Sequence, residues 1–200
     1  MVTTMSKETG TSINIKKNLV KYQEFISFAR FYPDRFLDLI KPEKGGINLH
    51  LDQRIFMRSI VRFYSTYGVF ARGYSKTYTE VLCMILVAIF FPRIHLAITA
   101  QTKENAASIL KEKYLEIIKH YPLLENEVVK TQFSKNNAVI EFANGSVIDI
   151  LANAQSSKGQ RRARMSIEEA ALLNSELFED ALEPIVEIPR VLPSYWHGFK

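Results

Sequence analysis

One cysteine in 200 residues, Cys83, leaves no route to an intrachain disulfide or to a multi-cysteine metal site. Cys83 sits inside an apolar run, where it reads as a small buried hydrophobic residue, and a reducing, cytosolic setting fits that usage. Histidine is also sparse: His50, His95, His120 and His197 are scattered without the spacing of metal ligands. The longest apolar run, residues 81–91, is closed by Pro92. It is too short to span a bilayer and reads as a buried core helix. Residues 1–11 are polar and lack the apolar stretch of a secretory signal. No internal repeat or low-complexity block is present.

What is present suits one domain. Hydrophobic residues make up 47% of the chain and charged residues 24%, so a sizeable core forms and whole-chain disorder is excluded. The formal net charge is +5, a balance that suits a polyanionic partner such as nucleic acid without requiring one. The expected organisation is a loose tail over residues 1–15 and a single domain over residues 16–200.

Along the chain, helices are expected over residues 18–30 and 33–40, with Pro33 at a first helical position. Residues 41–46 read as a loop. Asp52 is placed to N-cap a helix carrying Phe56, Ile60, Phe63 and Tyr64 on one face. Residues 67–71 suit a short buried strand, 77–91 an apolar helix, and 94–99 a second buried strand. Residues 103–121 are amphipathic, with Ala107, Leu110, Tyr114, Ile117, Ile118 and Tyr121 sharing a face. Residues 137–151 read as a hairpin turning at Asn144-Gly145. A strand over 163–167 and a helix over 175–183 complete the pattern. Strands alternating with helices predict an α/β fold on a mostly parallel central sheet flanked by helices. Ligands of such sheets bind at the carboxyl ends of the strands.

Two polar segments fall at such ends. The first is Ala71-Arg72-Gly73-Tyr74-Ser75-Lys76-Thr77. A phosphate-binding loop needs curled backbone N–H groups, a lysine for the β/γ charge and a hydroxyl for Mg²⁺. Lys76 and Thr77 supply the last two at a helix N-terminus, where the dipole also favours an anion. The usual glycine positions hold Phe70 and Ser75, and Gly73 is the one permissive backbone position in the turn. Taken alone, the segment also fits an ordinary strand-to-helix turn. The second segment is Arg164-Met165-Ser166-Ile167-Glu168-Glu169. An apolar strand ending in paired carboxylates fits the Walker B arrangement, with Glu168 on the Mg²⁺ side and Glu169 activating water. Taken alone, the pair also fits the acidic first turn of a helix. Together the segments form two halves of one Mg-nucleotide site.

At this point the sequence resembles the large terminase subunits of tailed phages and prophages. The resemblance rests on Phe31-Tyr32-Pro33-Asp34-Arg35-Phe36, on Leu49-His50-Leu51-Asp52-Gln53, on Arg72 through Thr77, and on Asn144-Gly145-Ser146 through Gly159-Gln160-Arg161-Arg162 to Glu168-Glu169-Ala170-Ala171. It covers roughly residues 25 to 190, and the order of the segments is more telling than any one of them. It implies a P-loop NTPase fold of the catalytic-glutamate (ASCE) type with ATP and Mg²⁺ as cofactors. Gln53 is implied to recognise adenine, Gly73, Tyr74, Ser75, Lys76 and Thr77 to hold the phosphates, and Thr77 with Glu168 the Mg²⁺ through water. Glu169 is implied as the catalytic carboxylate, and Arg72 as a finger acting in cis on the developing γ-phosphate charge. The implied partners are double-stranded DNA, a portal protein, a small terminase subunit and further copies of the chain in a ring, in the host cytoplasm and with no membrane. Two departures stand out: Ser75 where the family has glycine, and Glu168 where it has aspartate.

The chain stops at Lys200, soon after the acidic strand, so the expected ATPase domain is truncated and the family's nuclease domain lies outside it. The runner-up is a helicase-like P-loop ATPase acting on nucleic acid. A third reading is a non-catalytic fragment that binds nucleotide or a partner without turnover. A basic cluster, Lys158, Arg161, Arg162 and Arg164, is open to three uses: tracking DNA phosphates, sensing nucleotide, or forming a solvated face.

Overall fold

The computed structural model describes residues 10–63, 65–152, 157, 160–172 and 175–186. In chain order its elements are α1 (Gly10–Phe31), α2 (Pro33–Ile40), α3 (Leu51–Arg62), α4 (Lys76–Phe90), β1 (His95–Thr99), α5 (Lys103–His120), β2 (Val128–Ser134), β3 (Asn137–Phe142), β4 (Val147–Leu151) and β5 (Arg164–Ile167). Short helical turns follow over residues 170–172 and 175–186. Helix α1 starts at Gly10, inside the stretch expected to be loose, because extending an existing helix costs little compared with starting one.

The sheet has five strands in the order β2-β3-β4-β1-β5. It is mixed rather than mostly parallel. β1 pairs in parallel with β4 and β5, while β2–β3 and β3–β4 are antiparallel. The departure comes from β2, a strand the sequence pattern hides: most of its residues are exposed, so no apolar alternation marks it. The hairpin turning at Asn144-Gly145 is present, with Gly145 at φ 81. Asn144 Nδ2 donates to the carbonyls of Ala88 and Ile89 at 2.8 Å each, so the hairpin tip also caps the C-terminus of α4.

Helix α4 is buried almost throughout, which explains why its sequence is apolar all round. It lies with α5 against one face of the sheet, where Leu96, Ile98, Ile148 and Ile150 point. The alternate residues Ala97 and Leu151 face the opposite side and pack with Leu182 and Ile185 of the C-terminal turns. β1, an interior strand between β4 and β5, is buried on both faces, which is why it reads as a nearly continuous apolar run.

Helices α1 to α3 lean on α4 through charged contacts as well as apolar ones. Asp34 is fully buried and accepts from Arg58 at 2.8 and 2.7 Å, which holds its carboxyl below the usual range against the opposing effect of burial. Arg54 forms a two-pronged pair with Asp38, both bonds 2.7 Å. Arg30 donates to the Phe90 carbonyl at the end of α4. Helix α3 begins two residues earlier than expected. Its N-cap is His50, and Gln53, not Asp52, closes the helix start by accepting from the His50 N–H at 2.9 Å.

Residues 67–71 do not form a strand, and among the described residues they pair with none. Tyr67 and Val69 are exposed, and Phe70 turns inward onto Phe56 with ring centroids 4.9 Å apart. A short apolar run fits a buried strand only where a neighbouring strand takes up its N–H and C=O groups. Here β5 is the sheet edge on that side, and a cavity of about 390 Å³ lies between it and residues 65–70.

Candidate functional site

The turn before α4 and the acidic pair meet at the carboxyl end of β5. The sequence places Ser75 immediately before α4, and the structure puts it in the left-handed region at φ 53, ψ 36 as the helix N-cap. The reversal precedes the first N–H groups of α4, which as at any helix start have no partner within the helix. Gly73 is at φ 87, with open space where a Cβ would stand. The Ser75 carbonyl accepts from both the N–H and the hydroxyl of Thr79, each at 3.0 Å, which fixes the turn on the helix.

Lys76 and Thr77 converge on Glu168. The Thr77 hydroxyl donates to Glu168 Oε1 at 2.7 Å, and Lys76 Nζ lies 3.2 Å from the same oxygen. Glu168 is itself held in place: its backbone N–H donates to the Thr99 carbonyl of β1 at 2.9 Å, continuing the parallel ladder one residue past β5. Glu169 then turns sharply away at φ 54, an unusual conformation for a non-glycine residue. It is exposed at the rim of the cavity that Lys76 also lines.

A further acid completes the cluster. Glu80 lies four residues after Lys76, on the same face of α4, and accepts a short hydrogen bond from the Ser166 hydroxyl of β5. Burial pushes its carboxyl up to about 8, and the charge of Glu168 adds to the rise while Lys76 and Ser166 oppose it. Sequence reasoning missed Glu80, although its four-residue spacing from Lys76 was the available signal.

The other expected site residues lie apart from this cluster. Arg72 is exposed and joins no ion pair among the described residues. Tyr74 is exposed, with its ring 6.3 Å from that of Phe70. Gln53 is 7% exposed, with its oxygen engaged at the start of α3, and it lines neither the cavity beside Lys76 nor the groove beside Tyr74.

The basic cluster divides. Arg164 is buried and donates to the Ile60 carbonyl at 2.5 Å and the Val61 carbonyl at 3.3 Å, neutralising the C-terminal end of α3. Arg162 holds Asp149 with two bonds, at 3.0 and 2.5 Å, and His95 lies 3.1 Å from the same carboxylate. These partners pull the Asp149 carboxyl below its usual range despite its burial. Arg161 is exposed, and Lys158 lies outside the described residues, as does Gly159 of the sequence motif.

The donor set fits a magnesium–nucleotide complex. A hydroxyl and a carboxylate 2.7 Å apart are hard oxygen donors, enough for an ion that keeps most of its shell as water and phosphate oxygen. Among the described residues no group of three or more histidine, cysteine or acidic side chains forms a dedicated metal cage. No helix of the described residues is long and apolar enough to cross a membrane. Compared with known proteins, the chain matches no family model and none of the curated protein sequences.

Proposed function

We propose that this chain binds Mg·ATP at the turn before α4 and is the ATPase portion of a terminase-like DNA-packaging motor, built on a P-loop fold of the catalytic-glutamate type. The observation that carries the proposal is the convergence of Lys76 and Thr77 on Glu168, within 3.2 and 2.7 Å of one oxygen. Two motifs recognised separately in the sequence meet in one place and share a charge.

In this reading Lys76 and the backbone N–H groups of residues 75 to 77 bind the β- and γ-phosphates, and Glu168 is the counter-charge that Lys76 exchanges for phosphate. Thr77 and Glu168 would hold Mg²⁺, which supplies neutralisation of the phosphate oxygens. Glu169 orients the attacking water from the cavity rim, and Arg72, free of any ion pair among the described residues, is available to the γ-phosphate. Double-stranded DNA, a portal protein, a small subunit and ring neighbours are the partners that the terminase resemblance proposes.

A second reading, binding without turnover, is favoured by one observation. Residues 67–71 pair with no strand among the described residues, so the phosphate turn hangs from an unpaired segment. Calorimetry with Mg·ATP beside a phosphate-release assay separates the two readings. Lys76→Ala is expected to lower Mg·ATP affinity by about 10- to 100-fold, the worth of a charge-assisted hydrogen bond to phosphate. Equal affinity in the wild type and the variant rejects the phosphate turn altogether.

A further inference from the structure

Two side-chain hydrogen bonds join the start of α4 to the end of β5, and one of them lies outside the phosphate turn. In the first, the Thr77 hydroxyl donates to Glu168. In the second, the Ser166 hydroxyl donates to Glu80, across 86 residues of sequence. The direction reverses between them: the helix supplies the donor in one rung and the acceptor in the other. Both rungs close because the spacings match. Thr77 and Glu80 are three residues apart on one face of the helix, about 5–6 Å between Cβ atoms. Ser166 and Glu168, both buried, are two residues apart along β5 and the residue that follows it, roughly 6–7 Å.

A ligand acts differently on the two rungs. In the phosphate-binding reading, Lys76 exchanges Glu168 for phosphate, and Thr77 and Glu168 turn to Mg²⁺. The first rung is then given over to the ligand. The second involves none of those three side chains and stays closed. We propose that Glu80 is a positioning residue of this site: through Ser166 it keeps the start of α4 against β5 while Thr77 and Glu168 are turned to the ligand. The assignment rests on the phosphate-binding reading and adds to it the contact that preserves the site's geometry in the loaded state. One hydrogen bond suffices because the rest of each element is already fixed. Helix α4 is buried almost throughout, and β5 is paired to β1. With the second rung gone, the helix start gains freedom relative to the strand, and restoring the order lowers affinity for the ligand that needs both.

The test is calorimetric titration of the full chain with ATP, in the presence of Mg²⁺ and in its absence. Without Mg²⁺ the Thr77–Glu168 rung stays closed, so the second rung is dispensable. Glu80→Ala is therefore expected to lower Mg·ATP affinity by about 3- to 10-fold, the worth of one hydrogen bond, and to leave affinity for metal-free ATP unchanged. Ser166→Ala takes only a hydroxyl from the other side of the same rung, a change the fold tolerates more readily. It should give the same loss, and combining the two substitutions should add nothing further. Glu80→Gln keeps an acceptor for Ser166 and is expected to bind Mg·ATP as wild type does. Equal losses with and without Mg²⁺ mark a general defect of the fold and overturn the assignment. A loss in Glu80→Gln as large as in Glu80→Ala also overturns it, because the charge of Glu80 and not its bond is then what matters. Unchanged Mg·ATP affinity in Ser166→Ala removes the rung from binding altogether and leaves the phosphate turn standing. Failure of wild type to bind Mg·ATP overturns the phosphate turn, and this assignment with it.

Discussion

Thr77 donates its hydroxyl hydrogen to Glu168 Oε1 at 2.7 Å, across 91 residues of sequence. Neither residue moves independently of the fold. Thr77 is set by the first turn of α4, and Glu168 by the backbone bond that extends β5 along β1. The bond therefore reports the relative placement of one helix and one strand. Lys76, 3.2 Å from the same oxygen, is placed by the same helix start, so one carboxylate oxygen faces both a hydroxyl and an ammonium group.

Ser75→Gly is expected to stabilise the fold. Ser75 sits at φ 53, where a Cβ is strained and glycine is not. Relief of about 1 kcal/mol, less the greater chain entropy of glycine, leaves roughly 0.5 kcal/mol and a rise of one or two degrees in Tm. Thermal unfolding checks it, and a lower Tm for the variant shows that the serine side chain makes a compensating contact.

Much of this frame is legible in the sequence because it rests on local patterns. The Asn144-Gly145 turn, the amphipathic face of α5 and the apolar run of α4 each have a period or a dipeptide that only one structure satisfies. The acidic pair is legible for the same reason, since an apolar strand running into two carboxylates is a local signal. What stays hidden depends on partners far along the chain. Residues 67–71 have the composition of a strand, yet strand formation needs a neighbour that no local pattern supplies. Arg162 and Arg164 look like members of a basic surface cluster, and only the fold reveals that one holds Asp149 and the other caps α3. Glu80 looks like a surface acid of a helix until β5 closes over it.

Glu80→Gln is expected to flatten the pH dependence of stability. Burial raises the folded carboxyl to about 8 from its ordinary value of 4.5. The folded state thus binds more protons than the unfolded state between those values, and stability falls as pH rises through that window. The penalty grows by about 1.4 kcal/mol for each pH unit within it. Glutamine carries no such charge and can still accept from Ser166. Urea unfolding at pH 6 and pH 8 should show wild type losing stability and the variant holding it. Parallel losses in the two proteins place the titrating group elsewhere.

Arg161→Ala and Arg162→Ala are expected to fail in different ways. Arg161 is exposed, so its removal should leave stability nearly unchanged and weaken binding to duplex DNA at low salt. Arg162 is tied to Asp149 in a pair with side chains only 10% and 17% exposed, and its loss leaves the carboxylate with His95 as its side-chain partner. A destabilisation of about 2–4 kcal/mol follows from breaking such a pair on one side. DNA titrations at two salt concentrations, set beside urea unfolding of each variant, separate the roles. DNA affinity that does not change with salt counts against a phosphate-tracking surface, and an unaltered stability of Arg162→Ala counts against the ion pair as a support of the fold.

Glu169→Gln is expected to remove turnover and leave ATP binding nearly intact, if Glu169 orients the attacking water. The amide has the size of the carboxylate and can hydrogen-bond water, but it is a far weaker base. Position supports the division of labour. Glu168 is tied to Thr77 and Lys76, whereas Glu169 is turned out at φ 54 onto the rim of the cavity. Glu168→Gln should therefore weaken the Mg²⁺ dependence of binding, since its proposed role is on the metal side. A residue that served only the dipole of a helix start would behave differently: either substitution would cost roughly 0.3–1 kcal/mol of stability and spare both binding and turnover. The measurement pairs ATP affinity, with and without Mg²⁺, with phosphate release for each variant, in a form of the protein that hydrolyses ATP. Full hydrolysis with glutamine at position 169 removes Glu169 from the chemistry and shifts the search for the base to Glu80, the other acid lining the same cavity.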